Sequence, residues 1–193
     1  MIVKCVALLG PPGSGKSTAS RGIERLCESR GILFRLLKLA EPLYRCQAAI
    51  YEIAGRPLTD FYAQDGELLN FLGGHLRKIN GNVLLDDFDH RLRKELGTLE
   101  GARGTGALIV CDDMRPSEAA YLKSRGFGFV RLDAPPAICA ERRQARGDMT
   151  LGAADHVTER GLDAALADHV ISNTGTLEAL QRELGQLLSG LFT

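Results

Sequence analysis

The chain has 193 residues, 45% of them hydrophobic and 25% charged, which is the make-up of one ordinary globular domain with a full core. Lys plus Arg and Asp plus Glu balance at 24 each, so no basic footprint points to a nucleic acid or an anionic membrane surface. No apolar run approaches the roughly 20 residues of a membrane span.

The start, Met1-Ile2-Val3-Lys4-Cys5, runs directly into an apolar stretch and has no charged, long-apolar or cleavable leader. The expectation is a cytoplasmic chain. Five widely spaced cysteines with no C-x-x-C pair argue against a zinc site or disulfide framework and read as reduced, buried thiols. Ile2 to Leu9 reads as a buried strand, and Gly10-Pro11-Pro12-Gly13-Ser14-Gly15-Lys16-Ser17-Thr18 follows it. These nine residues fit the phosphate-binding pattern G-x-x-x-x-G-K-[ST] at every fixed position. Glycines let the backbone curl around phosphate oxygens, and because Pro11 and Pro12 lack an N–H, the donors must come from Gly13 through Thr18 at a helix start. Lys16 would reach the β- and γ-phosphates, and the Ser17 hydroxyl would hold Mg²⁺.

Ser17 to about Arg30 reads as a helix ended by Gly31. Ile32 to Leu39 is too apolar for a half-exposed strand and reads as a central parallel strand buried on both faces. Lys38, near its C-terminal end, lies at the edge where open α/β sheets bind ligands. Residues 41–100 then break the β-α-β rhythm with three helical patterns. The first starts at Pro42 and ends at Gly55, the second carries Leu68, Leu72, Leu76 and Ile79, and the third spans Val83 to Leu96. Together they suggest a substrate-covering insertion. Gly73-Gly74, inside the second, implies close approach of a ligand or another backbone. Asp86, Asp87, Asp89 and His90 crowd one stretch, but consecutive helical positions point apart, so they read as a solvated face instead of a metal site.

The sheet resumes at Ala107–Cys111 and ends in Asp112-Asp113, a strand tip suited to orienting Mg²⁺. Met114-Arg115 leads to a helix ending at Gly126, and Gly128–Leu132 is the next strand. Residues 136–147 form a helix in which Arg142 and Arg146 share a face, an arrangement suited to closing on phosphates. Gly147 to Asp163 is polar and poorly periodic and reads as a mobile connection. Ala167–Ile171 is a last short strand, and Leu177, Leu180, Leu184, Leu187 and Leu191 mark a closing amphipathic helix.

This order of elements resembles the nucleoside monophosphate kinase branch of the phosphate-loop proteins, and the loop is similar to that of adenylate kinases. Beyond the loop, the chain resembles deoxynucleoside monophosphate kinases and their neighbours, the dephospho-CoA kinases. Four stretches carry this: 39–43; 67–74 with Arg77; 113–115 with Glu118; and 167–177. Where the deoxynucleotide kinases tend to show Leu-Gln before Gly-Thr, this chain has Leu69-Asn70 and Gly73-Gly74.

The resemblance implies a three-layer α/β/α phosphate-loop fold with a five-stranded parallel sheet. It would be one domain over 1–193 with a helical insertion at about 41–100 and an arginine lid at about 136–163. The implied activity is transfer of a phosphoryl group from ATP, with Mg²⁺, to a (deoxy)nucleoside monophosphate, by a monomer or homodimer. Lys16, Asp113, Arg142 and Arg146 would be catalytic. Gly10, Gly13, Ser14, Gly15, Lys16, Ser17, Thr18 and Asn173 would bind ATP, Asn173 near the adenine. Lys38, Arg77 and Arg115 would bind the small phosphorylated acceptor, and Ser17 with Asp112 and Asp113 the metal. The alternatives are another acceptor, dephospho-CoA or a small metabolite, or a nucleotide-binding regulatory module with no acceptor. The chain has no Asn-Lys-x-Asp segment of the kind a GTPase switch uses to read its base.

Overall fold

The structure, a computed structural model, describes residues 1–146 and 167–192, without the side chain of Arg146. Five parallel strands form one sheet: β1 (Val3–Leu9), β2 (Ile32–Leu36), β3 (Gly106–Cys111), β4 (Phe127–Asp133) and β5 (His169–Ser172), in the spatial order β2-β3-β1-β4-β5. Strand side chains alternate between faces. In β1, Val6 and Leu8 therefore join Ile23 and Cys27 of α1 (Lys16–Ser29) and Leu180, Leu184 and Leu188 of α7 (Leu177–Leu191). Ala7 and Leu9 face the other way, toward Phe88, Leu92 and Leu99 of α4 (Val83–Glu100) and Leu122 of α5 (Ala119–Ser124). A sheet between two helical layers is the three-layer α/β/α phosphate-loop fold.

Between β2 and β3 the chain runs through α2 (Glu41–Ile53) and α3 (Gly66–Ile79) before α4. The Asp65 side chain caps α3 by accepting from Leu68 N at 3.1 Å, and the Thr176 hydroxyl caps α7 by accepting from Ala179 N at 3.3 Å. A 3-10 turn, Pro116–Glu118, precedes α5, and α6 spans Pro136–Arg146. No described helix is long and apolar enough to cross a membrane. All five cysteines are free; Cys27, Cys111 and Cys139 are buried, while Cys5 and Cys46 are only partly so.

Two sequence expectations are corrected. β2 is an edge strand of five residues, not a central one. Its apolar run has a different cause: Leu37 and Leu39 lie past the strand and pack in the same cluster as Phe88 and Leu92 of α4, while Phe34 and Leu36 pack on the opposite cluster. Helices on both faces, and not strands on both sides, account for its hydrophobicity. The acidic stretch of α4 is a solvated face at Asp86 and His90 only. Asp89 is buried, accepts from the Tyr121 hydroxyl at 2.9 Å and pairs with Arg93 and Arg125, and Asp87 pairs with Arg45 and Arg91. Among the described residues no group of three or more His, Cys, Asp or Glu is placed to hold a metal. Thus α4 belongs to the sheet's helical layer, tied by ion pairs to α2 and α5, and leaves α2 and α3 to project from it.

Candidate active site at the phosphate loop

The loop between β1 and α1 sits at the C-terminal edge of the sheet, where strand ends and helix starts converge. Gly13 and Gly15 hold φ of 87° and 99°, in the left-handed region. A Cβ at Gly13 would strike the Cys139 carbonyl of α6, and one at Gly15 would strike the side-chain amide of Asn173. Both positions therefore need glycine for conformation and for space. Lys16 Nζ folds back over the loop, donating to Gly10 O at 2.6 Å and Pro11 O at 3.2 Å. Burial, and then the Arg115 guanidinium, pull its pKa down to about 8, against the opposing pull of Asp112 and Asp113. Ser17 and Thr18 are exposed in the first turn of α1, and Ser14 Oγ is buried without a hydrogen-bond partner among the described residues.

Asn173 is buried just past β5, and its amide donates to Ser14 O at 2.7 Å. Arg142, on α6, donates through one terminal nitrogen to Asn173 O at 3.2 Å. Its other terminal nitrogen is buried without a hydrogen-bond partner among the described residues and lies beside Gly15. A guanidinium with a donor held at an anion cradle suits a phosphate. The position of the Arg146 side chain, and the expected connection from Gly147 to Asp163, lie outside the described residues. For Asn173, the geometry gives a loop-bracing contact beside the adenine contact that the resemblance implies. Asn173→Ala would leave the buried Ser14 carbonyl unpaired, at about 1–3 kcal/mol. Affinities for ATP and GTP are expected to fall together by about tenfold, since loop geometry serves both; titration calorimetry checks this. A loss confined to ATP would instead mark Asn173 as a base reader.

At the tip of β3 the two aspartates divide their work. Asp112 forms a buried ion pair with Lys38. Both oxygens of Asp113 accept backbone bonds, from Leu39 N at 2.8 Å and Ala40 N at 2.9 Å. Burial pushes the Asp113 carboxyl above its usual range, against the pull of Lys38. For Lys38, burial is outweighed by Asp112 and Asp113, and its pKa stands above the usual lysine value. Lys38, expected at the acceptor, thus places its charge on the strand tip, with its ammonium 5.1 Å from the centre of the Tyr62 ring. Arg91 fixes the same corner from α4, donating to Lys38 O at 2.6 Å.

Arg77 and Arg115, both expected at the acceptor, share Glu118, Arg77 through its guanidinium and Arg115 through its backbone N–H. Arg77 lies 3.7 Å from the Glu118 carboxylate, whose other oxygen accepts from Arg115 N at 2.8 Å. Gly73 makes room for this: its Cβ would sit 3.2 Å from the Arg77 guanidinium and 3.4 Å from Leu43, so the expected close approach is of α2 and of Arg77 itself. Gly74 approaches nothing within 4 Å.

Sequence reasoning missed the residues that shape this side. Gln47, fully buried in α2, donates to Ala63 O at 2.6 Å and accepts from Asp65 N at 3.2 Å, holding the 60–65 loop against the helix. That loop carries Tyr62, whose ring meets Tyr44 edge-on at 5.1 Å and whose hydroxyl donates to Glu41 at 2.8 Å. Burial, then Asp113, push the Tyr44 phenol up to about 12. A lone glutamine among apolar helix positions was the available signal.

The family model described as AAA_18, an AAA domain, matches residues 6–161, which include the loop, the β3 tip, Arg77, Arg115 and Arg142. The chain belongs to this family. No curated protein sequence matches it. Among solved structures, TT1252 from Thermus thermophilus is 22% identical, with 99% of each chain covered and a TM-score of 0.55. The APS kinase CysC of Mycobacterium tuberculosis, in complex with AMPPNP and APS, is 19% identical, covering 97% of this chain and 98% of its own, with a TM-score of 0.51. Shikimate kinase from Acinetobacter baumannii is 20% identical over 98% of this chain and 94% of its own, at a TM-score of 0.48. At such identities the likeness to TT1252 and to the APS kinase shows the shared fold.

Proposed function

We propose that this member of the AAA_18 family is an ATP-dependent phosphotransferase whose acceptor is a small phosphorylated molecule, a (deoxy)nucleoside monophosphate. The observation that carries the reading is a row of cations leading away from the phosphate loop. Lys16 is depressed by burial and then by the nearby Arg115 charge. Arg115 is depressed by burial, against the opposing pull of Asp113 and Glu118, with Arg77 adding a smaller push than theirs in the same direction as burial. Asp112, Asp113 and Glu118 already offset part of this positive charge, and bound phosphates would offset the rest. A triphosphate on the loop and a monophosphate at Arg77 and Arg115 would supply those anions from the two sides. The likeness in fold to an APS kinase structure holding AMPPNP and APS supports a phosphotransferase.

Phosphoryl transfer asks the protein mainly for alignment, exclusion of water and dispersed positive charge. Lys16 and Arg142 would place charge at the transferred group, and the loop glycines would bring backbone N–H donors to the triphosphate. The Ser17 hydroxyl would be the direct protein donor to Mg²⁺, and the strand-tip carboxylates, Asp112 paired with Lys38 and Asp113 accepting from Leu39 N and Ala40 N, would orient the ion through water. When bound, Mg²⁺ neutralises charge on the phosphate oxygens. Tyr62, held by Glu41 on a loop that Gln47 braces, would give the acceptor base an aromatic face, with buried Tyr44 packed edge-on behind it.

The test is an ADP-release assay across nucleoside monophosphates and dephospho-CoA, repeated on Arg115→Ala. The expected result is turnover of a nucleoside monophosphate, with its KM raised about 10–100-fold in the variant while KM for ATP changes little, because losing a charge-assisted phosphate contact costs about 1.5–3 kcal/mol. Phosphorylation of dephospho-CoA alone, indifferent to Arg115, would move the acceptor to a hydroxyl. Tight ATP binding with no acceptor-dependent turnover would make the chain a regulatory module.

A further inference from the structure

Gly74 is a glycine without a local reason. It stands in the interior of α3, where glycine costs helix stability relative to alanine, yet its φ is not positive and a Cβ there would meet nothing within 4 Å. Gly73 beside it is explained by the Arg77 guanidinium and Leu43. Neither backbone conformation nor packing among the described residues asks for the second glycine, so the space it keeps clear belongs to something the chain does not supply.

A line of two polar residues runs past that opening. At 3.6 residues per turn, seven positions return to within about 20° of the same direction, so Asn70 and Arg77 share one face of α3. That face is turned toward the acceptor side: Gly73, between them, is buried against Leu43 of α2, and Arg77 lies 3.7 Å from Glu118. Glu67, Leu68 and Phe71 line a groove on the outer side of the helix instead. Asn70 is half-buried, and its side-chain amide makes no hydrogen bond among the described residues. Neighbouring amides are engaged: Gln47 gives both ends to the backbone of Ala63 and Asp65, and Gln64 donates to the Tyr44 hydroxyl at 3.4 Å. An amide with donor and acceptor both uncommitted fits a ligand edge that carries one of each.

The spacing selects the ligand. Seven residues of helix rise about 10 Å, which is the reach of a nucleoside monophosphate from its phosphorus to the far edge of its base. With the phosphate at Arg77, the base edge falls at Asn70 and the sugar passes Gly74, one turn along from Asn70. Stacking on Tyr62 would be indifferent to which base is bound, because every base has a π-face. An amide on the edge is not indifferent.

We propose that Asn70 reads the hydrogen-bonding edge of the acceptor base and that Gly74 is kept bare to admit its sugar. This deepens the nucleoside monophosphate reading and rests on it.

Acceptor kinetics on three variants, with thermal melts, test it. In Asn70→Leu, KM for the preferred nucleoside monophosphate should rise about 10–100-fold with kcat and KM for ATP nearly unchanged. Inhibition by deoxyribose 5-phosphate, which has the phosphate and sugar but no base, should stay at the wild-type level. Asn70→Asp presents acceptors only, so it should raise kcat/KM for deoxyguanosine monophosphate, whose base offers two adjacent N–H donors, by at least about tenfold relative to the other bases. Gly74→Ala should melt about 2–4 °C higher and yet raise acceptor KM about tenfold or more, a pairing that loss of structure cannot produce. Wild-type KM and base ratios in both Asn70 variants would overturn the assignment of Asn70 while leaving the nucleotide acceptor in place. A stabilised Gly74→Ala with unchanged acceptor KM would overturn the role of Gly74. A wild type that phosphorylates no nucleoside monophosphate would overturn the acceptor reading and this inference with it.

Discussion

Lys16→Ala is expected to lower phosphoryl-transfer turnover by at least about 10³-fold while the protein stays folded, the scale on which a single well-placed charge acts in this chemistry. The Lys16 ammonium donates to the carbonyls of Gly10 and Pro11 within its own loop, and neither of these bonds ties one element to another. Burial and Arg115 already depress it to about 8, so the fold holds this charge at a cost, and losing it leaves stability nearly unchanged. A groove cation kept against its own electrostatics is a sign of function. Thermal melting together with acceptor-dependent ADP release checks both halves. Wild-type turnover in a cooperatively melting Lys16→Ala protein would remove the loop from the reaction.

Lys38→Met should act on the fold first. It leaves Asp112 charged in a site where the carboxylate side chain is 1% exposed, and breaking a buried pair from one side costs about 3–5 kcal/mol. For a domain of this size that is a drop in Tm of roughly 10 °C or more. The double change Lys38→Met with Asp112→Leu removes both charges and should recover most of the lost stability, as apolar replacement of whole buried pairs does elsewhere. If Lys38→Met melted like the wild type, the Lys38–Asp112 pair would not be what holds this corner together. A calorimetric melt of the two variants decides it.

Several parts of this molecule were legible from residues because local chemistry alone dictates them. The phosphate loop needs glycine at φ of 87° and 99°, and only a short list of residues satisfies that geometry. The closing helix shows its stripe because Leu180 and Leu184 meet one sheet face with Leu187 and Leu191 partly buried beside them, although Leu177 of the expected stripe is exposed and Leu188, outside it, is buried. Arg77 and Arg115 are assigned to the acceptor by its need for cations, and Glu118, which both contact, comes from the structure. What could not be read depended on elements distant in sequence. The Ile32–Leu39 run looks central because burial by α4, some 50 residues later, leaves the same apolar imprint as a neighbouring strand. Asp89 looked solvated because its partners Tyr121 and Arg125 lie far along the chain, in and just after α5. Gln47 has no periodic signature, since its role is to satisfy the backbone of a loop at 63–65.

The central claim is that the cation row joins two bound anions, and the most direct measurement follows the γ-phosphoryl group itself. ATP labelled in that group is incubated with the protein, Mg²⁺ and a deoxynucleoside monophosphate, and the products are separated. The expected result is label in the deoxynucleoside diphosphate, matched by ADP, with little release to water. Label appearing only as inorganic phosphate at a rate indifferent to the acceptor, or remaining in ATP that is demonstrably bound, would contradict it.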